Sequence, residues 1–539
     1  MRAFAAAAVC LLFAVAPSPG QETPPPPVYE GKDSASWLED LRTGDVPARK
    51  KAVYALWKMG PAMKEGVGDL GSALSDPDPY VADVAGRILV RLGTAAAGAL
   101  DGAAVALEDE RPKVRVAAVR LLRVMGEPAK GAAGTLLSLL DDPEAEVRQA
   151  TAQAFGTLGY FVGSTGFASQ VVAGLGGALE DPDPGVRKEA AFALSNYGDG
   201  ALAAIDALVA RLGDESAEVR AFAANALWNL GSAAGPEALD GLYGLLGDPD
   251  AMVRSRAYGG IVGMGPEDPR LFEAMRRGME DTAPEVRQTC SWILGTRFGE
   301  RPGVVDRLLA ATADPAHQVR LNAFTCLSKV RPIPAGVFTA FEKGLKDREP
   351  QIRANCAQCL GEIGPEAAPF VPLLVEMLRD TEDLNAQVAT TALGRIGTAA
   401  AEAIPDLRRR WRTRRDPYEK TNAGYSLARV SPRDRPEVLE SFLAVLRGES
   451  ARIPVLQAAN GVGEIGPEAA AAVPLLRPLL ASEDRATRIT AVMSLGKMGR
   501  AGGEAIPDLE RLLRDPWDRL RERAKVALDA IRAAQEGGR

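Results

Sequence analysis

"LEDPDPGVRKEAAFALSNYGDG", residues 179–200, places an Asp-Pro turn before an Ala-rich segment that carries one arginine and closes on glycine. Each part has its own physical use. A proline after the turn suits the first turn of a helix, where its missing N–H costs nothing, and a glycine takes the left-handed conformation that ends one. The pattern returns down the chain. With the turn Asp as position 0, the register starts at Thr43, Asp76, Asp109, Asp142, Asp181, Asp214, Asp248, Asp281, Asp314, Asp347, Asp380, Arg414, Glu449, Ser482 and Asp515, fifteen copies in all. Steps are 33 to 35 residues, with one of 39 between Asp142 and Asp181. The extra residues fall near "GYFVGSTG" (159–166), read as a loop insertion.

Fixed positions follow from packing. Asp at 0, or the acidic residue at +2, is a cap for the second helix of the copy. Position +9 is Ala in 12 copies and otherwise Thr151, Cys290 or Cys356, so a neighbouring helix must approach closely there. Position +13 is apolar throughout, from Leu56 to Leu528, and Gly at +17 ends the helix in 11 copies. An apolar helix precedes each turn, and its internal prolines predict a kink. Two helices per unit, without strand-period alternation, predict an all-α fold: an α-solenoid of about 15 two-helix repeats over 35–533.

The run "DREPQIRANCAQCLGEIG" (347–364) fits the pattern DPxxxVRxxAxxALGxIG and resembles HEAT repeats of the short type first associated with phycobilisome lyases. The resemblance covers residues 35 to 533. It implies a rigid scaffold whose second helices line a concave surface. It also implies an Asp–Arg ladder, for which arginine at +6 in 11 copies supplies the donors (Arg49, Arg115, Arg148, Arg187, Arg220, Arg254, Arg287, Arg320, Arg353, Arg488, Arg521). An anion-binding row is the alternative use of these arginines. The fold itself hosts many functions.

The amino terminus reads as an export signal: Arg2, then the apolar "AFAAAAVCLLFAVA", then "PSPG", with cleavage expected near Gly20. A Pro-rich linker is expected over 21–34 and a disordered tail over 534–539. No other apolar run is long enough to span a bilayer, so no transmembrane segment is expected and the mature chain is placed in the periplasm or outside the cell. A net charge of −7 argues against nucleic acid as a partner.

Angular arithmetic at 100° per residue turns +5, +9, +12, +13 and +16 into the stack, and +7, +11 and +14 away from it. Between the Asp142 and Ser482 copies, those outward positions hold one charged residue, Lys188, in 33. The rest are Gln, Asn, Ser, Thr, Gly, Ala, aliphatic and aromatic residues, an uncharged, amide-rich groove with spaced aromatics that suits an uncharged, extended partner: a protein or peptide, or a neutral glycan. The candidate partner-binding residues are Phe192, Asn196, Asn225, Trp228, Asn229, Gln288, Trp292, Thr325 and Gln358. Toward the amino terminus Arg87, Arg120 and Arg123 form a basic stretch able to take an anion. "LRRRWRTRR" (407–415) is read either as a solvated helix end or as a contact with an anionic surface.

Catalytic chemistry finds little support. His317 is the sole histidine, placed in a turn, and "CAQC" (356–359) has no companion Cys or His pair, so no metal or cofactor is expected. Cys290, Cys326, Cys356 and Cys359 fall at buried positions and are expected as free thiols. The expectation is a monomeric, exported, non-enzymatic scaffold. The alternatives are a lyase-like or chaperone-like handler of a small ligand or chromophore, and a passive envelope spacer.

Overall fold

The computed structural model describes residues 28–60, 66–162, 167–380, 382–448 and 452–536. The expected signal segment (1–20) and linker residues 21–27 lie outside the described residues, as do 163–166 of the expected insertion and 537–539 of the tail. The chain divides into two compact units, Met1–Asp268 and Pro269–Arg539, described separately below. Seven register copies fall in the first unit and eight in the second.

The second helices of the copies are regular. Examples are Pro184–Leu194 and Ala217–Leu230 in the first unit, and Pro350–Ile363 and Arg485–Lys497 in the second. Within each unit they stack directly on one another. All fifteen residues at +9 are fully buried, and those at +13 are at most 2% exposed. Small at +9 and large at +13 is thus the packing rule of the stack: the first admits the neighbouring helix, and the second fills the space between layers.

Position +2, not 0, caps the second helix. Asp78, Asp183 and Asp250 accept from the N–H groups of their own first turns. The Asp at 0 instead accepts the N–H of residue +2, as Asp181 does from Asp183 at 2.8 Å. Its carboxylate then faces the arginine at +6 of the preceding copy. Among the described residues, nine such bridges fall within the units: Arg49–Asp76, Arg115–Asp142, Arg148–Asp181, Arg187–Asp214, Arg220–Asp248, Arg287–Asp314, Arg320–Asp347, Arg353–Asp380 and Arg488–Asp515. Most are two-pronged. Arg115 donates through Nε and Nη2 to Asp142, both at 2.8 Å, while its Nη1 donates to the Asp109 carbonyl at 2.8 Å and the Glu110 carbonyl at 3.1 Å. One guanidinium therefore closes its own turn and fastens the next.

The ladder's exceptions are informative. Ala82 lacks the arginine owed to Asp109, and Arg111 supplies it from the other side, two-pronged to Asp109 and 2.7 Å from the Asp76 carbonyl. At the later gaps both partners change together: Ala386 precedes Arg414, and Val455 precedes Ser482. There, bridges move to other surfaces, among them Arg408–Asp434, Arg412–Glu437 and Arg429–Glu464.

Several expectations are corrected. Residues 28–33 are not linker: Val28–Tyr29 pairs with Lys32–Asp33 through a turn in which Glu30 and Gly31 both have positive φ. Trp37 Nε1 donates to the Tyr29 carbonyl at 3.1 Å, and Asp33 caps helix Ser34–Thr43. The tail residues 534–536 continue helix Asp518–Glu536. Helix Ala145–Val162 runs straight through Gly159 into the insertion. Some first helices, such as Ala168–Ala178 and Val304–Ala311, are single α-helices, while others begin with a 3-10 turn. Gly364–Phe370 is a 3-10 segment and Val371–Met377 an α-helix with Pro372 in its first turn, a place where proline sacrifices no hydrogen bond. His317 begins helix His317–Leu327 rather than sitting in a turn. The run Pro79–Ala106 contains an 18-residue window with the mean hydropathy (1.4) of a membrane span, 28% of it buried. It is divided at Gly93 (φ 58°), and Val81, Leu89, Ala96 and Ala103 are buried between helices.

The ladder yields a stability prediction. Arg115→Ala leaves the Asp142 carboxylate, 3% exposed, without its cation and is expected to cost about 3 kcal/mol. Arg87→Ala, which removes an exposed pair with Asp83, is expected to cost under about 0.5 kcal/mol. Amide hydrogen exchange in helix Pro112–Met125 reads the first and in helix Pro79–Leu92 the second. Burial pushes the Asp181, Asp214, Asp248 and Asp314 carboxyls up, but the facing guanidinium and the turn N–H outweigh it and hold each below its ordinary value. A depressed folded pKa stabilises above the unfolded value, so this contribution is complete above about pH 4 and is lost as pH falls further. Acid titration of the unfolding free energy checks that sign.

Candidate partner-binding face

Within each unit, a second helix with a copy on either side is contacted on three sides: by the first-helix layer, by the preceding copy and by the following one. The residues that meet the neighbours identify what remains. Position +14 packs against +12 of the next copy. A methyl group built on Gly361 would lie 2.9 Å from Ala392 Cα, and one on Gly394 would lie 2.8 Å from Ser426 Cα. Ser195 and Ser328, also at +14, are buried. This corrects the outward assignment of +14. Its glycines are small because a helix backbone passes there.

Polar side chains bridge the same seams. Asn196 and Asn229, at +15, donate through Nδ2 to the +14 carbonyls of the preceding copy: Gly156 at 2.9 Å and Ser195 at 3.0 Å. Arg429 donates likewise to the Gly394 carbonyl at 2.8 Å. Asn322, at +8, donates to the Gln288 carbonyl at 2.9 Å, and Asn355 donates to Thr325 Oγ1 at 3.1 Å. Part of the amide enrichment read from the sequence is therefore a second inter-repeat ladder.

The candidate residues separate accordingly. In the first unit, Phe192 is 37% exposed and meets Phe222 edge-on. Asn225 is half-buried and accepts from Arg256 Nη1 at 3.3 Å. Trp228, 40% exposed, lies over Gly259 and Gly263 of the next copy, where added methyl groups would come within 3.3 and 2.5 Å of its ring. In the second unit, Gln288 and Gln358 are exposed, and Gln358 donates to Glu362 Oε1 at 3.1 Å. Trp292 is half-buried, with Lys329 Nζ 5.7 Å from its ring centre. Thr325 donates to the Leu321 carbonyl at 2.9 Å. The proposed basic stretch is already met by acids or burial: Arg87 pairs with Asp83, Arg120 with Glu146, and Arg123 Nε is buried.

What stays free is the line through +4 and +11, seven residues apart and so nearly superposed on a helix. From Gln153 to Met493 no +11 residue is charged. Among the described residues fifteen large hydrophobic side chains are exposed, and eight lie at these two positions: Tyr54, Tyr80, Phe192 and Met252 in the first unit, and Leu384, Ile453, Met493 and Val526 in the second. Sequence reading missed the +4 members. The seven-residue spacing was the signal that would have found them.

The four cysteines of the described residues are buried and unbridged. Burial pushes Cys326 up to about 11 and Cys359 to about 12, and Cys290 and Cys356 further still, so none offers a thiolate near neutrality. Among the described residues, no group of three or more His, Cys, Asp or Glu side chains is placed to hold a metal ion.

Stacked helix pairs with inter-repeat ladders define an α-solenoid. HEAT repeats match residues 162–228, 205–277, 338–428 and 439–529, and a further HEAT repeat matches 134–162. These matches take in more than half the chain, which belongs to the HEAT-repeat family. No curated protein matches it in sequence. Among solved structures, yeast importin-beta (Kap95p) is similar at 15% identity and TM-score 0.64, over 93% of this chain and 79% of that one. Importin beta crystallised in an ammonium sulfate condition gives 13%, 0.56, 93% and 83%. The karyopherin Kap121p bound to the SUMO protease Ulp1p gives 14%, 0.54, 93% and 66%. At such identities the likeness is one of fold.

The seam assignment predicts opposite effects for two glycines. Gly361→Ala is expected to destabilise by about 1–3 kcal/mol, because its methyl meets backbone. Gly177→Ala, with open space around it inside helix Ala168–Ala178, is expected to stabilise by about 0.5 kcal/mol. Urea denaturation of the two variants distinguishes them.

Proposed function

We propose that this protein is an exported, non-enzymatic scaffold that holds a protein or peptide partner along the +4/+11 line of its second helices. The observation that carries this reading is the concentration of exposed large apolar side chains on the one line that stacking leaves free, with no charged residue at +11 between Gln153 and Met493. Solvated faces do not collect aromatic and aliphatic groups at two positions of a 33-residue unit, whereas docking faces do. Ladders on both seams hold the line rigid, so little ordering is needed when a partner arrives. Kap121p, similar in fold, is known bound to a protein. The apolar amino-terminal run after Arg2 supports export.

Photo-crosslinking tests the assignment. A benzophenone side chain is placed at Phe192 or at Gln358, on the free line, and separately at Val105, which is 66% exposed on a first helix. The expected result is a protease-sensitive adduct from the first two positions and none from Val105, on a chain whose amino terminus begins after Gly20. Equal yield at Val105, or no adduct from either line position, would contradict the proposal.

A further inference from the structure

The twelfth copy breaks the rule of its own ladder in an unneeded way. Ala386 has lost the arginine that would reach the next turn, and that turn carries Arg414 at position 0. Losing a ladder arginine requires only that the facing carboxylate become neutral, as Ser482 does after Val455. Here a carboxylate site has become a guanidinium site.

The surroundings concentrate the charge. A groove of about 390 Å³ between the residues just after helix Val371–Met377 and helix Ile404–Thr413 is lined by Arg379, Asp406, Arg409, Arg410 and Arg414. Four guanidinium groups share two carboxylates there. Arg409 binds Asp406 closely, and Arg379 stands 3.9 Å from it. Arg414 and Arg410 stand 3.1 and 3.6 Å from Glu419. Arg408 and Arg412 of the same helix are taken up by Asp434 and Glu437. Arg410 is 6% exposed, and its Nη2 makes no hydrogen bond among the described residues. Burial and the neighbouring Arg414 both weaken its hold on its proton, against the attraction of Glu419 and Asp383. The orphan Arg410 Nη2 faces an equally unbonded Glu419 Oε2 at 3.6 Å, while the groove itself is lined by four guanidinium groups and the single carboxylate of Asp406.

We infer that this groove binds a doubly charged tetrahedral oxyanion, sulfate or phosphate, gripped by Arg379, Arg409 and Arg414 over Arg410. Planar guanidinium forks match the paired oxygens of such an anion, and charge-assisted bonds of this kind are the strong ones. The anion would supply the negative charge that position 0 provides at other turns.

Calorimetric titration with sulfate and with inorganic phosphate, at ionic strength fixed by chloride, tests the site on the full chain. The unmodified protein is expected to give one saturable event per chain. The double variant Arg409→Gln with Arg414→Gln is expected to bind at least about tenfold more weakly. Asp406→Asn removes a competing carboxylate without removing a donor, and is expected to bind more tightly, which separates loss of the site from loss of the fold. Methyl phosphate identifies the source of the group. Binding as tight as that of inorganic phosphate supports an oxyanion carried on a larger molecule, and a preference for the inorganic ion supports a free one. Heats matching those of chloride, or equal affinity in all three proteins, would overturn the proposal.

Discussion

The +6 arginine that closes its own turn and grips the next copy's aspartate is the interaction on which the stack depends. It satisfies the carbonyls of one Asp-Pro turn and neutralises the carboxylate that shapes the next. Where the arginine is missing the chain responds in kind: Arg111 rescues Asp109 from the opposite side, Lys420 precedes Glu449, and after Ala386 and Val455 the carboxylate is gone. A buried carboxylate without a cation is costly enough that neither partner is kept alone. Hydrophobic packing at +9 and +13 holds the helices together, while the ladder fixes how successive copies are set against each other.

That regularity decides where recognition is possible. The inner layer takes one side of each second helix, and the two seams take two more. Only an arc of roughly 120° around +11 remains, on the geometry of an α-helix. Residues on the seams, such as Asn196 and Asn229, are spent on neighbouring carbonyls. Residues on the arc, such as Phe192 and Gln358, have no such duty. The separation of scaffold from surface is one of degree: Phe192 meets Phe222 of the next copy and still exposes over a third of its surface, whereas Ser195 and Ser328 on the seams are buried.

Much of this was legible in the chain itself. The repeat, the helix pairs, the buried +9 and +13 positions and the ladder arginines all follow from periodicity and residue size. The +14 position did not follow, because a helical wheel knows one buried side and has no term for the copies before and after. Glycine at +14 looked like an open face and is instead a close approach, as Gly394 against Ser426 shows. The same blindness made the bridging asparagines resemble ligand-binding amides. The arginine run at 407–415, ambiguous as sequence, resolves into inter-copy bridges through Arg408 and Arg412 and a distinct cluster at Arg409, Arg410 and Arg414. Which carboxylates would face it depended on the fold and could not be read from spacing.

Successive copies are coupled through the guanidinium–carboxylate bridge. A double-mutant cycle on Arg220 and Asp248, 2.7 Å apart at closest approach, tests it most directly. With each residue changed to alanine singly and together, and unfolding of helices Ala217–Leu230 and Ala251–Met264 followed by hydrogen exchange, the account predicts a coupling energy of about 1.5–3 kcal/mol. Additive effects, with coupling below about 0.5 kcal/mol, would contradict it.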